Sequence, residues 1–89
     1  EAAAWGIVSR VVPAESLIDE AMKVARQIAA FPPKSVRLNK RLVRRSAESD
    51  LDTALELAAS FQAIVQSSAD QKEAVSALLE RREPRFDGR

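Results

Sequence analysis

Apolar positions fall into five groups, four of them helical in period. From Glu15 to about Ala30, Leu17, Ile18, Ala21, Val24, Ala25, Ile28 and Ala29 recur three and four residues apart, which predicts a long amphipathic helix. The dipeptide Pro32-Pro33 ends it, and Pro33 suits the first turn of a second helix, where its missing N–H has no partner to lose. That second helix carries a narrow apolar stripe of Val36, Val43 and either Leu38 or Leu42. A third, entered at Ser49 or Asp50, has Leu51, Ala54, Leu55, Ala58, Phe61, Ile64 and Val65 as its apolar face. A last helix carries Val75, Leu78 and Leu79 and stops before Pro84. Its entry reads as a capping box, with Asp70 as N-cap and Glu73 three residues on.

The segment before these helices has a different texture. Gly6-Ile7-Val8-Ser9-Arg10-Val11-Val12-Pro13 is β-branched and bounded by Gly and Pro, as a short extended segment would be. Glu1-Ala2-Ala3-Ala4-Trp5 reads as the end of a helix that Gly6 terminates. With no initiator Met, the chain is expected to be a fragment. The predicted architecture is all-α: three to four amphipathic helices with a short extended N-terminal lead-in, in a single helical domain over residues 1–89.

Charge changes this picture locally. The net charge of +1 hides a segregation: residues 1–33 carry three cations and four acids, residues 34–45 six cations and no acid, residues 46–89 five cations and nine acids. On a helix, Arg37, Lys40, Arg41, Arg44 and Arg45 share one face, where like charges repel by a few tenths of a kcal/mol per pair, roughly. Either acids from elsewhere neutralise this face or it meets an anion. Duplex DNA and membrane surfaces are usually served by more basic domains, and single-stranded nucleic acid needs stacking aromatics, of which there are three Phe and one Trp.

Composition removes most chemistry. With no His and no Cys there is no imidazole base, thiolate nucleophile, disulfide or soft metal ligand. The carboxylates Glu15, Asp19, Glu20, Asp50, Asp52, Asp70 and Glu73 all sit at helix starts, where a structural role suffices. No Gly-rich phosphate loop, nucleophile elbow or metal-ligand spacing is present. No catalytic residue and no metal ligand is therefore expected. No apolar run reaches the roughly 18 residues a membrane span needs, and no signal peptide opens the chain, so a cytoplasmic protein is expected.

The stretch Ser67 to Arg89, SSADQKEAVSALLERREPRFDGR, resembles the C-terminus of enoyl-CoA hydratase/isomerase proteins, the crotonase superfamily, which ends in a pattern of the form S-x-D-x-x-E-G-x-x-A-F-x-x-K-R-x-P-x-F. Asp70, Glu73, Ala77, Arg82, Pro84 and Phe86 match it. Upstream, AAAWGIVSRVVP is similar to the family's A-x-x-x-G-L-V-N-x-V-V-P, followed by a helix, Pro-Pro, and a helix with Lys at the position of Lys40.

This resemblance implies the helical C-terminal domain of an acyl-CoA enzyme. The parent would act on coenzyme A thioesters in fatty acid metabolism, as a lyase or isomerase, through an oxyanion hole and acidic residues in an N-terminal crotonase domain that precedes this segment. The chain alone would then be catalytically silent. Its helices would cover the acyl-CoA site and build a homo-oligomer, a trimer or hexamer, and it would hold no covalently bound cofactor. The family's CoA-contacting aromatic and Lys fall at Leu78 and Arg81, both departures: Leu cannot stack on adenine, while Arg keeps a charge for a phosphate. Lys40 is the third candidate for coenzyme A. Ala74 replaces a family Gly, and Ala58 stands where a Glu is frequent, so hydratase, isomerase and other crotonase chemistries stay open. The alternative reading is an independent small helical module that binds an anionic partner such as nucleic acid through its basic helix.

Overall fold

The computed structural model describes residues 1–89, and its first feature is the helix ending that Gly6 implies. Gly6 takes φ +74°, its N–H donates to the Ala3 carbonyl at 3.2 Å, and the Ile7 N–H donates to the Ala2 carbonyl at 2.9 Å. This nested pair of bonds is a Schellman ending, which needs a left-handed residue that Gly supplies without a Cβ clash. Residues 7–13 then run without regular structure; no second strand lies beside them, so the β-branched run forms no ladder.

Four helices follow: α1 Leu17–Ala29, introduced by a 3-10 turn at Ala14–Ser16, then α2 Pro33–Ser46, α3 Leu51–Gln66 and α4 Ala69–Glu80. Pro33 occupies the first turn of α2, as its chemistry requires. Asp50 caps α3, accepting the Thr53 N–H and the Thr53 hydroxyl at 2.9 Å each. At α4 the expectation fails. The N-cap is Ser68, whose Oγ accepts the Gln71 N–H at 3.1 Å, so Asp70 lies inside the first turn and Glu73 in the second. The Ser68 hydroxyl itself donates to the Val65 carbonyl at 2.6 Å, tying the end of α3 to the start of α4.

Packing departs from the expected stripes in an instructive way. Leu38 and Leu42, one turn apart, face Ala58, Phe61 and Val65 of α3, with Ser35, Asn39 and Gln62 at the rim. Val43 is 72% exposed, because a position one residue past Leu42 is rotated about 100° off the contact line. Along α3 only part of the predicted face is used: Leu51, Leu55 and Ile64 stay exposed. α4 packs on α3, whereas α1 meets the rest only near its end, where Ala25, Ile28 and Ala29 border an open apolar hollow with Phe31, Pro33 and Val36. Only Ser68, Asp70 and Ala77 are buried.

The result is a slab of 42 × 39 × 18 Å, less than two helix diameters thick. Its radius of gyration, 16.6 Å, exceeds the ~12 Å expected for a closed domain of this length. Its accessible surface, 7499 Å², likewise exceeds the ~5,200 Å² of a folded monomer of this mass. A single layer of helices cannot close a core around itself. Leu17, Ile18, Met22 and Ile28 of α1, together with Val75, Leu78 and Leu79 of α4, present apolar side chains to solvent. No helix is long and apolar enough to cross a membrane.

Candidate functional site at the end of the last helix

The best-defined polar structure lies where α4 meets the segment after it. α4 ends at Glu80, and Arg81 takes the left-handed conformation with φ 54° and ψ 44°. Its N–H donates to the Leu78 carbonyl at 3.3 Å, and the Arg82 N–H to the Ala77 carbonyl at 3.0 Å, a Schellman ending built on a non-glycine residue. The chain thereby reverses and runs back along α4 to its start.

Two carboxylates hold the return. Glu73 receives a fork from Arg82, Nη1 to Oε1 at 2.6 Å and Nη2 to Oε2 at 3.0 Å, and the Arg85 N–H at 2.8 Å. The Arg82 bonds first, and the Arg85 N–H second, pull the Glu73 carboxyl down to about 2. Farther along, Asp70, only 1% exposed, accepts the Asp87 N–H on Oδ1 and the Gly88 N–H on Oδ2, each at 2.9 Å. The Asp70 N–H in turn donates to the Arg89 carbonyl at 3.0 Å. Gly88, at φ +84°, lies beside Pro33 and the Arg37 guanidinium, so the returning segment also touches the start of α2.

The capping-box reading therefore assigned the wrong partners to the right residues. Asp70 and Glu73 satisfy backbone N–H groups, but those of residues twelve to eighteen positions away. The local D-x-x-E spacing cannot reveal this; the signal that could have is Phe-Asp-Gly near the end, a turn whose free N–H groups need an acceptor.

Leu78 and Arg81 are brought together by the same turn. Leu78 is 78% exposed and flanked by exposed Leu79 and Val75, while the Arg81 side chain makes no ion pair or hydrogen bond within the chain. An open apolar surface ending in a free guanidinium suits a ligand that is part apolar and part anionic. Lys40 is not part of this cluster. It lies on α2, exposed and without an ion pair, and no bond connects it to Leu78 or Arg81.

Three more carboxylates are held in their charged form like Glu73. Hydrogen bonds and cations pull down Glu20, through Lys23 and then Arg10; Asp50, through the Thr53 N–H and hydroxyl; and Asp87, through Arg89. A catalytic acid at neutral pH needs its pKa raised, the opposite direction.

Comparison with known proteins places this arrangement. The enoyl-CoA hydratase/isomerase family model matches residues 1–89, the whole chain. The chain is 38% identical over 85 residues to the 1,2-epoxyphenylacetyl-CoA isomerase of Escherichia coli K12, covering 96% of this chain and 32% of that protein. It is 34% identical over 82 residues to the short-chain-enoyl-CoA hydratase of Clostridium acetobutylicum, covering 92% of this chain and 31% of that one. The crystal structure of an enoyl-CoA hydratase from Bacillus anthracis superposes with a TM-score of 0.92 at 32% identity, over 99% of this chain and 34% of that one. The chain thus spans about a third of the length of the curated relatives it matches. Across that span, from the helix-ending Gly6 to the tail held by Asp70, it belongs to the enoyl-CoA hydratase/isomerase family.

Proposed function

We propose that the chain is the helical C-terminal portion of an acyl-CoA enzyme of the hydratase/isomerase type, with its catalytic residues supplied by a preceding crotonase domain. The observation that carries this reading is the one-layer slab with apolar side chains on α1 and α4 that nothing in the chain covers. Contiguous apolar surface of this kind marks a contact with another body. That body is the catalytic domain of the same chain and, across the oligomer, a neighbouring subunit. Leu78 and Arg81 then border the acyl-CoA site, with Arg81 meeting a phosphate and Leu78 offering apolar contact in place of an aromatic stack. Lys40 adds positive potential on α2.

In this role the 89 residues perform no turnover by themselves: they carry no imidazole or thiolate, and the Glu73 carboxyl is lowered, not raised. The reading of an independent nucleic-acid module finds no support among the relatives. Two measurements test the proposal together. Hydration of a short enoyl-CoA by the 89-residue chain is expected to stay at the buffer rate, and sedimentation to show concentration-dependent self-association. Turnover would sink catalytic silence; a monomer at every concentration, with no binding of an apolar dye, would sink the covering role.

A further inference from the structure

The six cations of α2 are the largest uncompensated feature of the molecule. Arg10, Lys23, Arg82 and Arg89 all find carboxylates within the chain, but Lys34, Arg37, Lys40, Arg41, Arg44 and Arg45 find none. The reason is geometric. The acids of the neighbouring helix, Asp52 and Glu56, lie on the half of α3 opposite Ala58, Phe61 and Val65, the residues that face α2. The pair of helices is polarised and cannot neutralise itself.

Within this face one spot has shape as well as charge. Arg41, Arg44 and Arg45, at i, i+3 and i+4, line a concavity of about 310 Å³ with Glu48 and no apolar residue. Arg41 is not free to wander: its guanidinium lies over the Phe61 ring, 5.5 Å from the centroid. Nor are Arg44 and Arg45 needed to cap the end of α2. The Arg45 carbonyl already accepts the Ser49 hydroxyl at 2.7 Å and the Glu48 N–H at 3.1 Å. Three arginines therefore line one hollow, one of them held over an aromatic ring, and none makes an ion pair within the chain.

We propose that Arg41, Arg44 and Arg45 form a binding site for a phosphoryl anion, separate from the acyl-CoA surface at Leu78 and Arg81. Planar forks match the tetrahedral oxygens of a phosphoryl group, and the concavity has room for a diphosphate. A base or other aromatic group is not part of the ligand, because the nearest ring face, that of Phe61, is occupied by Arg41. Glu48 at the rim sets a selectivity cost, since its carboxylate opposes the anion it faces. The inference stands on the three arginines of α2 with Phe61 and Glu48, and survives if the acyl-CoA reading fails.

The test uses inorganic pyrophosphate as probe, at low ionic strength, with calorimetry and the arginine side-chain Nε–H resonances as readouts. Saturable binding that shifts Arg41, Arg44 and Arg45 is expected. Arg44→Gln with Arg45→Gln should weaken it by roughly tenfold or more. Arg37→Gln, on the same helix but outside the concavity, should change it little. Glu48→Gln should tighten it, a gain that a misfolded variant cannot mimic. Arg44→Lys with Arg45→Lys keeps the charge and loses the forks, so undiminished binding there would mean diffuse attraction and would overturn a built site. Three further outcomes overturn the proposal: no saturable shift up to millimolar pyrophosphate, displacement of pyrophosphate by coenzyme A at a single shared site, or binding to anionic phospholipid vesicles without binding to free pyrophosphate.

Discussion

The two ends of the molecule solve opposite problems. α4 and the segment that returns along it are held by polar bonds that leave almost nothing unmet: Asp70, Glu73 and Ser68 each take one or more backbone N–H groups. α1 is an amphipathic helix whose apolar face is open to solvent except near its end beside α2, and no side chain caps its start, so its form leans on propensity until something covers it. One end satisfies its own polar groups, and the other, under the proposed function, keeps its apolar face for a partner. Substitutions at the first should act on stability, and at the second on assembly.

The sharpest way to break the first region is Asp70→Ala. It removes the buried acceptor of the Asp87 and Gly88 N–H groups and frees the returning segment from α4, at a cost of about 2–3 kcal/mol. Asp70→Asn, which keeps one acceptor, should lose roughly half of that. Urea unfolding of both variants checks the order; equal midpoints would show that the tail is not part of the cooperative unit.

Ala77 comes next. At 2% exposure it is the only buried apolar residue, and its carbonyl also anchors the Arg82 N–H. Ala77→Leu should overpack the contact of α4 with its surroundings and cost about 1–3 kcal/mol. Wild-type stability for this variant would mean the site is open enough to relax.

Acid offers a probe without mutation. The Glu73 carboxyl is lowered from an ordinary 4.5 to about 2 by Arg82 and Arg85. A depressed carboxyl stabilises the fold above its unfolded value and loses that contribution as pH falls through the folded one. Protection of the Arg85 amide from exchange, taken relative to the free peptide at each pH, should therefore fall between about pH 4.5 and pH 2, and Glu73→Gln should abolish that step. A transition centred at higher pH in the wild type would assign it to another carboxylate.

These residues also show where sequence reasoning reaches. All four helices were legible from periodicity, and two of their starts from local chemistry: Pro33 at the start of α2 and Asp50 at the cap of α3 act through neighbours a few residues away. Asp70 and Glu73 were legible as helix-start acids but not as clamps, because their partners come from a segment that turns only at Arg81. Leu51, Leu55 and Val43 show the other limit. Periodicity identifies apolar faces without saying which of them meets the chain itself and which is left for a partner. The resemblance to the hydratase/isomerase family located Leu78 and Arg81 in sequence; that they end up on one turn follows from the left-handed Arg81.

That left-handed residue provides a smaller test of the self-sufficient end. A non-glycine at positive φ costs roughly 1 kcal/mol, which glycine would not incur. Arg81→Gly should therefore raise the stability of the α4 ending by up to about 1 kcal/mol, seen as a higher urea midpoint. The same change removes the free guanidinium, so under the proposed function it weakens coenzyme A binding by the complete enzyme. A stabilised variant with unchanged affinity would detach Arg81 from the acyl-CoA site while leaving the turn chemistry intact.

The last contrast is a null effect on one axis and a loss on the other. Ile18 is 71% exposed and Met22 44%, one turn apart on α1 and ahead of the hollow that Ile28 shares with α2. Ile18→Ser with Met22→Ser should shift the chain's own unfolding by no more than about 0.5 kcal/mol, the range of ordinary surface changes. The same pair should abolish self-association, because removing two apolar anchors from a contact removes more than the rim around them restores. A helix that stabilised the slab from within would show the reverse: a lowered midpoint with assembly intact. That result would return α1 to the fold and leave the apolar side chains of α4, Val75, Leu78 and Leu79, as the only face presented to a partner.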